Sequence, residues 1–401
     1  MSNKKYSIFI TALFCAFIFG FGAAHFVLPD RYFSEQENRY LSQFKAPTPD
    51  TLRSGRFMET FEDYITDQFP LRDRWIQLKA LSELALGKQE NNGVYFGRDA
   101  QTLFAQFTAP SQEELETRLG FVNALGENLD VLGVPVYFSL VPDKSYAYPH
   151  NLPANAPNVD DGSTIRWVDV RCGANVKSLD LTWTLGDLCW FGQDAGDSMV
   201  SLDEHSYFYR TDHHWTTVGA YGAYLSLMEQ MDLDAAANFG RDWLNRLTPV
   251  SDSFYGTTYS AAGAGWVRPD TICIMIPEGG LKGHVTVTRY PEGAPIESTM
   301  YHPDKLEVKD KYAYFLGGNQ PLCVIKNPDA PDGRLLVIRD SYSDTLAPFL
   351  AEQFQEVHLF DLRYNNTSLK QYVENNGIDR VLVLYSVANF STDGNLFKMA
   401  Y

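Results

Sequence analysis

Four consecutive apolar residues, Leu335-Leu336-Val337-Ile338, constrain this 401-residue chain more than any other segment. A short run of that kind, bounded by polar residues, reads as a strand covered on both faces, and such strands occur in parallel sheets sandwiched by helices. The residues that follow keep one rhythm: a turn over 339–343, a helical stretch to about 354, a strand over 357–360, a helix over 368–375 and a strand over 380–384. Strand, helix and strand in alternation place the domain in the α/β class, with a parallel sheet and flanking helices. Upstream, Val94-Tyr95-Phe96 is strand-like, residues 113–132 are helical with Ser111 near their start, and 134–140 form a short apolar strand ending at Pro142. Residues 149–204 are rich in Asn, Asp and Gly and read as irregular.

The N-terminus differs in kind. Lys4 and Lys5 precede a nearly unbroken apolar run over residues 8–24, which with the apolar residues after it is long enough to cross a bilayer. Lysines before it and a mildly acidic stretch after it put the rest of the chain outside the cytoplasm. The segment reads as a retained single-pass anchor over 1–28; cleavage as a signal peptide near Gly22-Ala23-Ala24 is the alternative, giving a secreted protein. A polar linker over 29–50 follows, then a helical lead-in over 51–90 divided by Pro70, and then one domain over 91–401.

A formal net charge of −17 argues against nucleic acid as a partner, since phosphate binding draws on Lys and Arg. Outside the cytoplasm Cys172, Cys189, Cys273 and Cys323 are able to form two disulfides. Proximity favours Cys172–Cys189 and Cys273–Cys323, with buried thiols as the competing reading. No cofactor is expected.

In an open parallel sheet the chemistry sits beyond the carboxyl ends of the strands. Segments 339–343, 361–366 and 385–389 leave such ends. Ser341 in the first is the candidate nucleophile, exposed on a tight turn before a helix where backbone N–H groups gather. The competing reading of a turn serine is a helix cap, a role that suits Ser343 better. A serine nucleophile needs a base and the base an orienting carboxylate. Asp212-His213-His214-Trp215 supplies both: in an extended segment Asp212 and His214 share a face while His213 points elsewhere, and Thr216 or Thr217 caps the helix that follows, to about residue 231. The rival reading is a metal held by His205, Asp212, His213 and His214. Adjacent histidines diverge, which disfavours it, and no metal is expected.

The segment Thr211-Asp212-His213-His214-Trp215-Thr216 resembles the signature of the bacterial DHHW family, which is similar to the SGNH-hydrolase-like domain of the alginate O-acetyltransferases. Residues 67–72, 93–97, 141–144 and Asp340-Ser341-Tyr342-Ser343 also match, so the likeness runs from about residue 38 to 387. The resemblance implies a permuted SGNH-hydrolase-like fold in which the Asp-x-His pair precedes the nucleophile. It implies Ser341, His214 and Asp212 as the triad, and Arg363 and Tyr385 as strand-end residues contacting substrate or the oxyanion. Lys144 fits either an ion pair or a ligand contact.

The expected function is serine-dependent O-acetyl transfer to a cell-surface polysaccharide or exopolysaccharide through an acetyl-serine. By resemblance, a membrane-bound partner would pass acetyl groups across. Alternatives are an acetylesterase of the same fold, and a non-catalytic polysaccharide-binding or export-complex component in which Ser341 and His214 lie apart.

Overall fold

The computed structural model describes residues 3–186, 207–235, 246–278, 280 and 285–401. The chain divides into two compact units, one of residues 1–92 with 259–266, the other of 93–258 with 267–401.

In the first unit, α1 (Asn3–Val27) is long and apolar enough to cross a membrane. Beyond it, α2 (Arg56–Asp67) and α3 (Arg72–Ala85) break around Pro70, where the fixed φ of proline ends a helix. The stretch read as a linker makes its own contacts. Phe33–Ser34 pairs with Arg39–Tyr40, Arg39 bonds Asp67 through both guanidinium nitrogens, and the Ser42 N–H donates to Asp67.

The second unit carries the sheet. Among the described residues it has eight strands, taken in chain order as β1 (Val136–Val141), β2 (Val176–Asp180), β5 (Thr286–Tyr290), β6 (Ile296–Ser298), β7 (Leu322–Lys326), β8 (Asp332–Arg339), β9 (Phe354–Phe360) and β10 (Arg380–Ser386). The numbers β3 (Leu247–Phe254) and β4 (Asp270–Met275) belong to a separate antiparallel hairpin. The spatial order of the large sheet is β6-β5-β7-β9-β8-β10-β1-β2. Strands β9, β8, β10, β1 and β2 run parallel, and β7, β5 and β6 extend the sheet antiparallel. The fold is mixed α/β with a large, mostly parallel sheet and a core on each face.

The run at 335–338 occupies the centre of β8. Leu335 and Val337 face one core with α5 (Thr217–Gln230) and α6 (Ser343–Gln353). Leu336 and Ile338 face the other with α4 (Gln112–Asp130) and α7 (Leu369–Asn376). All four side chains are fully buried; each contributes roughly 1.5–3 kcal/mol by leaving water. Ser111 starts α4 with a capping box, accepting from the Glu114 N–H while Glu114 bonds back.

Two expectations change. The region 149–204 is not wholly irregular: it supplies a helix (Asp161–Asp169) and the edge strand β2, where only Val176 and Leu179 are buried. The Cys273–Cys323 disulfide is not formed. Both are buried, Cys273 on β4 and Cys323 on β7, in different sheets. The Cys172–Cys189 pairing involves Cys189, which lies outside the described residues.

Candidate active site

Strand β8 ends at Arg339, and the chain turns through Asp340-Ser341-Tyr342 into α6. Asp340 holds the turn against the end of β10. Its Oδ1 accepts the Tyr342 N–H (3.0 Å); its Oδ2 accepts the Ser386 N–H (2.8 Å), the Ser386 hydroxyl (2.9 Å) and Asn389 Nδ2 (2.8 Å). A buried carboxylate with four donors is a rigid staple. Ser343 does not cap α6 as expected: its hydroxyl donates to the Asp340 carbonyl (2.9 Å), because Tyr342 holds the cap position in a helical conformation. Thr216 does cap α5, accepting the Gly219 N–H at 3.3 Å.

The Asp212-His213-His214 segment is a loop, not the extended strand expected. The Phe208–Trp215 bridge closes it, with the Tyr209 N–H donating to the His214 carbonyl (3.2 Å) and the Thr216 N–H to the Tyr207 carbonyl (2.8 Å). Asp270 on β4 anchors its near side, accepting from the Arg210 N–H (3.0 Å), the Thr211 N–H (2.8 Å) and the Thr211 hydroxyl (2.5 Å). Within the loop Asp212 Oδ1 accepts the His214 N–H (3.0 Å), a local side-chain turn typical of Asp.

These two turns meet. His214 Nε2 is 2.7 Å from Ser341 Oγ, and His214 Nδ1 is 2.6 Å from Asp212 Oδ1. With Nδ1–H donating to the carboxylate, Nε2 is the acceptor for the serine hydroxyl. Asp212 Oδ2 accepts the Thr257 N–H (2.7 Å) and hydroxyl (3.0 Å). Burial raises the Asp212 pKa, but His213, His214 and the Thr257 N–H outweigh it and hold the carboxyl well below its ordinary value. Asp212 is therefore an anion at neutral pH.

The side chains between the turns lock them together. Trp215, fully buried, donates Nε1–H to the Tyr342 carbonyl (2.9 Å) and to Thr345 Oγ1 (2.9 Å). The Tyr342 hydroxyl donates to the His213 carbonyl (2.5 Å). The Tyr312 ring lies flat on the His214 imidazole, centroids 3.8 Å apart and planes at 9°, while its hydroxyl donates to the Ser341 carbonyl (3.1 Å).

His213 does not point elsewhere, as an extended segment would require. Its ring lies 3.9 Å from that of His214, and its Nδ1 bonds Thr257 Oγ1 at 2.7 Å. Burial and His214 hold its pKa well below the ordinary value. Asp212, His213 and His214 offer ligand atoms within 4.8 Å of one another, the set among the described residues that could hold a metal ion. The Asp212 and His214 atoms are engaged in the hydrogen bonds above. His205, the fourth residue of the metal reading, lies outside the described residues.

Arg363 and Tyr385 are not brought to Ser341 by any bond. Arg363 commits Nε and one terminal nitrogen to the Asp361 carboxylate (2.9 and 2.6 Å). Tyr385 points into the core on the α4 side of the sheet, only 1% exposed. Among the described residues Lys144 is neither in an ion pair nor at Ser341: its buried ammonium donates to the Leu103 (2.8 Å) and Arg210 (3.2 Å) carbonyls, and burial pushes its pKa down to about 8. Sequence reasoning missed Tyr312, Thr257 and Asp340. Thr257 and Tyr312 sit in no motif, and only tertiary contact reveals them. Asp340 was visible beside Ser341, but nothing local showed that it binds β10.

Gly256 supplies one test. A Cβ there would fall 2.2–2.6 Å from the Asp212 carboxyl group and Cβ. Gly256→Ala must displace Asp212, and a displacement near 1 Å costs on the order of 10²-fold in rate. Turnover of an acetyl ester is expected to fall by about that factor; unchanged turnover would show that Asp212 is not placed by this contact.

Residues 196–360 match the family model described as DHHW protein, and residues 95–271 match that of the SGNH hydrolase-like domain of acetyltransferase AlgX. A curated relative, probable alginate O-acetylase AlgJ of Pseudomonas aeruginosa, is 27% identical over 180 residues, 44% of this chain and 43% of that protein. The chain thus matches less than half the length of this relative. Among solved structures, Bacillus cereus PatB1 with a sulfonyl adduct superposes with TM-score 0.60 at 24% identity, covering 75% of this chain and 96% of that one. A DHHW family protein from Eubacterium siraeum superposes with TM-score 0.60 at 21% identity, covering 77% and 95%. These two likenesses are of fold.

Proposed function

We propose that this chain is an extracytoplasmic O-acetyltransferase acting on a polysaccharide through an acetyl-serine on Ser341. The observation that carries the reading is the continuous chain Ser341 Oγ, His214 Nε2, His214 Nδ1, Asp212 Oδ1, with links of 2.7 and 2.6 Å. It is the order of groups that activates a serine. The likeness to the alginate O-acetylase supports acetyl as the acyl group and a polysaccharide as the acceptor. The apolar α1, suited to a membrane anchor or a signal sequence, supports a site outside the cytoplasm. A membrane-bound partner supplying acetyl groups belongs to the same reading.

In the first step Ser341 Oγ attacks the acetyl carbonyl as its proton passes to His214 Nε2, and the donor's leaving oxygen departs with that proton. Asp212 stays ionised and stabilises the imidazolium, with the Tyr312 ring beneath it. Among the described residues the Ser341 N–H has no partner, which leaves it to donate to the developing oxyanion. In the second step a sugar hydroxyl gives its proton to His214 and attacks the acetyl-serine, releasing Ser341. A non-catalytic binding module would have no need of a serine hydroxyl held on a buried histidine.

The test uses the full chain in detergent, given p-nitrophenyl acetate with and without acidic and neutral oligosaccharides. Acetylated oligosaccharide with release of nitrophenol is the expected result. Acetate as the sole product with every acceptor would replace the transferase with an esterase. No acyl-enzyme and no turnover would sink the serine mechanism.

A further inference from the structure

The outward face of α3 is built wrongly for water. Its inner face carries Ala80, fully buried, with Ile76 and Gln77 packed toward Gly263 and Gly265. The opposite face presents Leu71, Trp75, Leu78 and Leu81, and Leu86 follows at the helix end. Of these, Leu71 is 65%, Leu78 53% and Leu81 50% exposed. An isolated exposed leucine is ordinary, but a row of them on the outer side of one helix is not. The flanking charges are taken up within the same unit: Arg72 pairs with Glu37, Asp73 with Arg31, and Lys79 donates to Asn91 and Asn92. Arg74, exposed between Leu71 and Leu78 on the row itself, donates to Gln77 Oε1.

This row begins against the surface of α1 in a way that fixes its level. The Trp75 ring lies 5.9 Å from Phe17 and 5.6 Å from Phe21, and Phe69 stacks on Phe21 at 5.4 Å. Phe21 and Phe17 lie six and ten residues before Val27, the last residue of α1. At about 1.5 Å per residue they are roughly 9 and 15 Å along the helix from that end. The hydrocarbon core is about 30 Å thick, so an α1 that spans it carries both rings, and Trp75 with them, below the headgroups. Interfacial helices bury their apolar face about 5–10 Å deep, with Trp and Leu inward.

We propose that α3 is a membrane-embedded interfacial helix, its Leu71, Trp75, Leu78 and Leu81 face lying among the acyl chains of the leaflet on the non-cytoplasmic side. The occupant of this face is lipid, because the face is continuous with the apolar surface of α1, and Arg74, exposed within it, is long enough to carry its charge to the headgroups while its stem lies among acyl chains. The inference goes beyond the enzymatic reading, and the level it assigns in the bilayer rests on α1 remaining attached.

The test is depth-dependent quenching of Trp75. The full chain and its Trp75→Phe variant are placed in phosphatidylcholine vesicles with brominated acyl chains, or in ordinary vesicles with aqueous iodide. The difference between the two proteins is the Trp75 emission. Expected is loss of that emission with brominated lipid and none with iodide. Quenching by iodide alone would put the face in water, and protection from both would mean that protein, a second copy or a partner, covers it; either overturns the proposal. Intact mass on the same sample reports whether α1 is present. If α1 has been removed and brominated lipid still quenches, the embedding of α3 stands and only the anchor is lost; iodide quenching in that sample overturns both. Turnover of p-nitrophenyl acetate by Trp75→Phe should equal that of the unaltered chain, which separates this result from the serine mechanism.

Discussion

Changing Ser341 to alanine is expected to abolish the acetyl-enzyme and to lower acetyl transfer by about 10⁴–10⁶-fold, the range seen when a triad nucleophile is removed. The expectation comes from the geometry around Oγ. One neighbour, His214 Nε2 at 2.7 Å, takes the proton, and no other residue at the turn duplicates the hydroxyl. Ser343 is two residues away, fully buried, and donates to the Asp340 carbonyl. The fold should survive, because the turn is held through Asp340, Trp215 and Tyr312, and none of these contacts uses Ser341 Oγ. Intact mass after exposure to p-nitrophenyl acetate or to a sulfonyl fluoride checks it. Wild-type chain should gain one acyl or sulfonyl group and the variant none. A variant that still acylates once, at the same rate, would move the nucleophile elsewhere.

The second large effect is at Asp212. Asp212→Asn is expected to lower turnover by about 10⁴-fold, because an amide does not fix the imidazole tautomer or stabilise its protonated form. It also carries a stability signature. Asp212 is held well below its ordinary pKa in the folded chain, so its ionised form contributes stability at all pH values above the unfolded value of about 4. That contribution is lost as pH falls through the lower, folded pKa. The wild-type chain should therefore exceed Asp212→Asn in denaturant midpoint at pH 7, and the gap should narrow in strong acid. A gap independent of pH would mean that shape at this position, not charge, governs stability. Loss of activity with an unaltered denaturant midpoint at pH 7 would leave the catalytic role intact while removing the electrostatic one in folding.

Much of this architecture was legible before any coordinates. The 335–338 run, the α4 and α5 helices with their Ser111 and Thr216 caps, and the break near Pro70 all follow from short-range rules: alternation of buried faces, side-chain acceptors for unpaired N–H groups, and a ring that blocks the helix. Local chemistry also pointed to Ser341, His214 and Asp212, since a nucleophile, a base and a carboxylate are recognisable by type.

What lay beyond reach was whatever depended on distant segments meeting. Strand β2 is an edge strand with two buried residues, so it has no apolar run to announce it. The hairpin of β3 and β4, through Asp270, fixes the loop that carries the histidines. His213 and His214 were expected to diverge, as neighbours in a strand do. A loop closed by the Phe208–Trp215 bridge turns both rings to the same side instead. Residue types and short-range periodicity thus identify the groups able to react and the helices and strands that carry them. Only tertiary folding sets Thr257 under Asp212, Tyr312 against His214 and Asp340 across to β10, because those contacts join residues tens of positions apart whose pairing no local rule encodes.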